Sequence, residues 1–204
     1  MTLRARPAVI AVGGPPGAGK SVLTTRLSAE LGIPRLGSDA IGRIIEGSEG
    51  AKGASFDAYW IAYDVVFGLC DEFLSNGVSA ILDLNLGWEF QWRQLDRLRA
   101  AHPNALVLPI VLRCARELCL ARIQQRHEDA PEVWGPPERY LANEAIVGVW
   151  DYHERLERTD THFIDAVRSQ EAVFADAQGY VMARLKEHGC ALGRDAALDH
   201  EGLR

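Results

Sequence analysis

Positive charge is in short supply in this chain: 22 lysines and arginines face 28 aspartates and glutamates, a formal net charge of −6. Such a surface repels polyanions on average, which argues against a nucleic-acid or acidic-lipid partner. Long apolar runs are also missing. No stretch approaches the ~18 apolar residues of a membrane span, and the five-residue run Ala8 to Val12 is too short for the apolar core of a secretory leader. The expected location is the cytoplasm. Cysteine is scarce, with Cys70, Cys114, Cys119 and Cys190 showing no C-x-x-C pair and no His/Cys ligand spacing. A disulfide framework or structural zinc site is therefore not expected, and the thiols read as reduced. Internal repeats and low-complexity tracts are absent too.

What remains is an ordinary globular composition. A chain of 204 residues, 48% hydrophobic and 25% charged, fits one domain with a full core. Ala8 to Val12, running into Gly13-Gly14, reads as a strand buried on both faces, and Leu23, Leu27 and Leu31 mark a helix from Lys20 that stops at Gly32. The alternation continues with a helix over Phe56 to Ser75, a strand over Val78 to Leu84 and a helix over Leu86 to Ala101. A strand over Leu106 to Leu112 follows, awkwardly containing Pro109, then a helix over Ala115 to His127, a weaker strand at His162 to Ile164 and a closing helix over Ser169 to His188. Alternating strands and helices predict an α/β fold with ligands at the carboxyl ends of the strands. Gly47 to Ser55 and Glu128 to Glu138 break the rhythm and read as mobile loops, and the tail from Gly189 reads as frayed.

The strongest signal lies between the first strand and the first helix. Gly14-Pro15-Pro16-Gly17-Ala18-Gly19-Lys20-Ser21 matches G-x-x-x-x-G-K-[ST] in full. The glycines let backbone N–H groups curl inward around phosphate oxygens, and the following helix adds its positive end. Lys20 is expected at the β/γ-phosphates and the Ser21 hydroxyl at Mg²⁺, with Val22 continuing the nucleotide-binding run. Average residue usage gives the motif by accident in about 1% of chains this long, and few such accidents sit between a buried strand and a helix.

With that loop in place, the chain resembles the P-loop small-molecule kinases, a group that includes gluconate kinase, chloramphenicol phosphotransferase, zeta toxins and the adenylate-kinase-like enzymes. The resemblance implies a three-layer P-loop NTPase fold: a mostly parallel five-stranded sheet with helices on both faces and a small lid at about 126–140, in a kinase domain spanning 1–188 with a flexible tail over 189–204. Three further segments carry it. In Leu36-Gly37-Ser38-Asp39-Ala40-Ile41-Gly42-Arg43, the resemblance puts Asp39 opposite the substrate hydroxyl as proton acceptor, with Arg43 one turn on to hold an anionic substrate. The bland alternative is a helix cap plus a surface i,i+4 pair. In Ala80-Ile81-Leu82-Asp83-Leu84-Asn85, Asp83 resembles the Walker B aspartate that holds Mg²⁺, and Asn85 is a secondary substrate contact. Which of Asp39 and Asp83 is base and which metal partner stays open. In Val111 to Arg126, Arg122 and Arg126 share a helix face leading to the lid, one near adenine and one at the transferring phosphate.

Among the aromatics, Trp60, Tyr63 and Phe67 at helical spacing read as core, while Trp88 and Trp134 read as ligand contacts. His153, among charged neighbours, reads as surface. No N-K-x-D guanine signature follows the loop. The expectation is ATP- and Mg²⁺-dependent transfer to a hydroxyl of a small molecule. An ATP- or GTP-sensing module and an NTP hydrolase are the rivals.

Overall fold

The computed structural model describes residues 6–52 and 57–190. Five strands form one sheet in the order β2-β3-β1-β4-β5: β1 Ala8–Gly13, β2 Arg35–Gly37, β3 Ala80–Asp83, β4 Leu106–Arg113 and β5 His162–Asp165. Every pairing is parallel. The helices are α1 Lys20–Leu31, α2 Ser38–Glu46, α3 Ala58–Ser75, α4 Glu89–Ala101, α5 Arg116–Asp129, α6 Pro137–Leu141, α7 Glu144–Arg155 and α8 Gln170–His188.

The period-2 alternation of the strands sorts the core into two layers. Ile10, Val12, Ile81, Ile110 and Leu112 pack toward α1, α5, α7 and α8. Val9, Ala11, Leu82 and Val111 pack toward α3 and α4. β1 lies between β3 and β4 and is buried throughout, so the loop that leaves it starts from a fixed point.

Several boundaries differ from expectation for visible reasons. β3 begins at Ala80, not Val78, because the Val78 N–H turns back to the Phe73 carbonyl at the end of α3. α4 begins at Glu89, not Leu86, because Leu86 has φ 49, outside the helical region. Pro109 is tolerated because β5 joins β4 only from Ile110 onward, leaving an open edge at the proline on that side. The expected loop over Glu128 to Glu138 is shorter, since α5 runs to Asp129 and α6 starts at Pro137. A 3-10 turn at Glu49–Ala51 occupies the other expected loop, whose last residues, 53–55, lie outside the described residues. Cys190 bridges to Arg6, and the remainder of the expected tail, 191–204, lies outside the described residues. No described helix is long and apolar enough to cross a membrane.

Candidate active site

The phosphate loop connects β1 to α1. Gly17 has φ 85, and a Cβ there would lie 2.5 Å from the Cys119 carbonyl oxygen. Gly19 has φ 99 and serves as the N-cap of α1 without a side-chain cap, and a Cβ on it would meet nothing within 4 Å. The start of α1 therefore has no side-chain cap and open space beside Gly19, and an uncapped helix N-terminus of this kind attracts an anion. Lys20 Nζ donates to the Pro15 carbonyl across the loop at 3.0 Å. Burial lowers the pKa of Lys20, against the raising influence of Asp83 and Asp39; Arg126 reinforces the lowering. Three side chains predicted for the site thus act on one ammonium.

Asp83, at the end of β3, is buried and held on both sides. Its carboxylate accepts from Thr24 Oγ1 of α1 at 3.2 Å and pairs with the Arg35 guanidinium of β2; Arg35 Nε also donates to Thr24 Oγ1 at 2.8 Å. Ser21 and Thr24 are linked through the Ser21 carbonyl, which accepts from Thr24 Oγ1 at 3.3 Å. Hydroxyl and carboxylate oxygens of this kind suit Mg²⁺. Among the described residues no cluster of three or more His, Cys, Asp or Glu side chains could hold a metal, so an ion at Ser21 and Asp83 would take its other ligands from phosphate and water.

Asp39 is exposed in the first turn of α2. Its helix is capped by Gly37, with no side-chain cap bond, and Ser38 Oγ reaches instead to the Asp83 carbonyl at 3.3 Å. The capping alternative therefore does not hold, and no salt bridge joins Asp39 to Arg43 among the described residues. Arg43 is exposed near Tyr59, where Asp39 and Arg139 also exert their charge.

Asn85 has a different surrounding from the one expected of a substrate contact. Its Nδ2 donates to the Tyr63 hydroxyl at 3.0 Å and its Oδ1 accepts from the Gly87 N–H at 3.0 Å. Its carbonyl accepts from the Gly14 N–H at 2.8 Å and lies 2.7 Å from His153 Nε2. His153 is therefore not at the surface: it is 6% exposed, and burial pushes its pKa down to about 4, so it is neutral near pH 7. Charged sequence neighbours hid it because one face of α7 turns inward, carrying Val149, Trp150 and His153.

Two arginines of α5, Arg122 and Arg126, make different contacts. Arg122 Nη2 donates to the Ala166 carbonyl at 2.8 Å and Nη1 lies 3.6 Å from Cys114 Sγ. It lines a cavity of about 100 Å³ with Gly19, Val22, Arg26, Val173 and Phe174, where the Arg26 guanidinium lies 3.9 Å over the Phe174 ring. The cavity thus combines apolar side chains with the Arg26, Arg122 and Arg168 guanidiniums. Arg126 stacks 4.9 Å over Trp134 and acts on Lys20.

Trp88 belongs to an aromatic cluster: its ring centroid is 4.9 Å from Trp60 and 5.8 Å from Tyr63, and it stacks on Phe90 at 6.2 Å. Tyr63 and Phe67 are core as expected, but Trp60 is 43% exposed. Sequence reading missed Thr24, Arg35 and Arg26, which lie in no motif; Arg35 stands two residues before the strand-end glycine, and nothing in its spacing singled it out.

Residues 9–139 match the family described as AAA domain. Among solved structures, a gluconokinase from Sinorhizobium meliloti 1021 is 18% identical, with 90% of this chain and 97% of that one covered and a TM-score of 0.58. A sugar kinase from Janibacter sp. HTCC2649 is 16% identical, with coverages of 86% and 94% and a TM-score of 0.59. At these identities the likeness is one of fold, an all-parallel P-loop α/β sheet covered on both faces. No curated protein matches the chain.

Proposed function

The chain belongs to the AAA-domain family, and on that premise we propose that it is an ATP-dependent phosphotransferase that moves the γ-phosphate to a hydroxyl of a small molecule. The observation that carries this reading is the phosphate loop itself, with Gly19 opening α1 uncapped and the Lys20 ammonium bonded to the Pro15 carbonyl under the electrostatic influence of Asp83, Asp39 and Arg126. Binding alone needs only the loop; transfer to an acceptor also requires a carboxylate within reach, and Asp39, exposed in the first turn of α2 and within electrostatic influence of Lys20, supports that reading.

In this reading the loop amides and Lys20 grip the β- and γ-phosphates of the substrate ATP, and Arg122 closes the base slot. Asp39 accepts the proton of the acceptor hydroxyl as its oxygen bonds to the γ-phosphorus and the bond to the bridging oxygen breaks. Arg126, brought in by the lid, balances charge on the γ-oxygens while water is excluded. Ser21 and Asp83 would hold Mg²⁺, which neutralises phosphate charge when bound. Trp60, Trp88 and Phe90 offer ring faces to an acceptor, and the acidic surface favours a small one over a nucleic acid.

The test is ADP release measured across a panel of hydroxyl compounds, with Lys20→Ala as the blank. Acceptor-dependent ADP release that the blank lacks supports transfer. Steady ADP release without any acceptor points to a hydrolase, and nucleotide binding with no release under any condition points to a sensor.

A further inference from the structure

Arg126 is a cation without a counter-ion. It is half-buried near the end of α5, and its guanidinium makes no hydrogen bond or ion pair among the described residues. Its Nε is enclosed without a partner, and its charge opposes the Lys20 ammonium. What holds it is a ring: the guanidinium carbon lies over Trp134, 4.9 Å from the ring centroid. Trp134 is in turn tied to the helix that carries Arg126. Its N–H donates to the Ala130 carbonyl at 3.0 Å, and the Ala130 N–H donates to the Arg126 carbonyl at 3.1 Å. The Trp134 carbonyl lies 2.7 Å from His127 Nδ1, which therefore carries that ring's proton. Indole and guanidinium thus belong to one short closed segment, 126–134.

We propose that Trp134 is a positioning residue: its indole holds Arg126 ready for the terminal phosphate of a nucleoside triphosphate and does not itself touch the nucleotide. An unanchored arginine samples many rotamers and must give them up when it docks on a ligand, so holding it beforehand removes part of that cost. A carboxylate partner would fix the side chain too, but it would neutralise the charge that phosphate needs. The indole face attracts the cation through its quadrupole and leaves the positive charge unspent, with the guanidinium's donors still open to phosphate oxygens. Sequence position suggested Trp134 as a ligand contact, whereas the fold gives its ring to Arg126.

This role rests on reading the phosphate loop as a triphosphate site, and one experiment separates the two. Calorimetry with Mg²⁺ present measures the affinities of ADP and of the non-hydrolysable ATP analogue AMP-PNP. The proteins are the wild type, Trp134→Ala, Trp134→Phe, Arg126→Ala and the Trp134→Ala/Arg126→Ala double variant. Trp134→Ala is expected to weaken AMP-PNP about fivefold and to leave ADP within about twofold. Trp134→Phe, which keeps a ring, is expected to lose less than Trp134→Ala. The double variant is expected to bind AMP-PNP no more weakly than Arg126→Ala alone, because a positioning residue acts only through its partner. Additive losses in the double variant, or an ADP loss as large as that of AMP-PNP, make Trp134 a ligand contact and overturn the proposal. So does unchanged AMP-PNP affinity in Trp134→Ala, or a Trp134→Phe protein as weak as the alanine variant. In each of these cases the wild type still binds nucleotide and the functional reading stands. A wild-type protein that binds neither nucleotide removes that reading and the proposal together.

Discussion

His153 Nε2 lies 2.7 Å from the Asn85 carbonyl oxygen, the same oxygen that receives the Gly14 N–H at 2.8 Å. One carbonyl thereby ties helix α7 and the loop after β3 to the first residue of the phosphate loop. A neutral imidazole is favoured here because burial, reinforced by the charges of Lys20 and Arg113, penalises the imidazolium, and Nδ1 has no hydrogen-bond partner to receive a proton.

The pH dependence follows from that. The folded pKa of about 4 lies below the ordinary 6.5, so between those values the unfolded chain binds the proton and the native one does not. Stability therefore falls as pH drops below 6.5, and the loss levels off near pH 4. Between pH 7 and pH 5 the His153 contribution is about 2 kcal/mol. Urea melts at the two pH values should show it, and His153→Leu should remove most of the difference while lowering stability at pH 7; an undiminished difference in the variant refutes the assignment.

Asp39→Asn should leave nucleotide affinity within about twofold and reduce acceptor-dependent turnover by ~10²-fold or more, since a general base contributes on this scale. Calorimetry with ADP and initial rates on any active acceptor separate the two. Retained turnover would remove Asp39 from the chemistry.

Arg35→Ala should leave the Asp83 carboxylate buried with only the Thr24 hydroxyl, at a cost of about 3 kcal/mol. Denaturant midpoints measure this directly. A change under ~0.5 kcal/mol would mean that the pair is no stronger than an exposed one.

The two loop glycines should respond differently to alanine. At Gly17 the new methyl meets the Cys119 carbonyl at 2.5 Å and the whole loop must shift, so both stability and nucleotide binding should drop. At Gly19 no protein atom lies within 4 Å of the methyl and only the left-handed backbone is strained, by about 1–2 kcal/mol. A loss of ADP binding at Gly19→Ala much larger than its loss of melting stability would show that the methyl occupies ligand space.

The phosphate loop and the alternation of layers were legible because each depends on local spacing: glycines at required backbone angles, and apolar residues at period 2 or 3.6. Asp39 and Arg126 came from resemblance, and the fold brings both within electrostatic reach of Lys20. Arg35, Thr24 and His153 were not legible. Their significance lies in pairings across 48, 59 and 68 residues of sequence, set by the order of strands in the sheet. Asn85 was expected as a secondary substrate contact; in the fold its amide is engaged by Tyr63 and Gly87, partners that lie 22 and 2 residues away.

The Lys20 ammonium resting on the Pro15 carbonyl has a kinetic meaning. On the proposed function, an incoming triphosphate would not meet a bare cation but would have to take over an internal tether, so docking would be an exchange of partners. The same tether would re-form once the ligand left, so the loop would keep a partner for its ammonium in either condition.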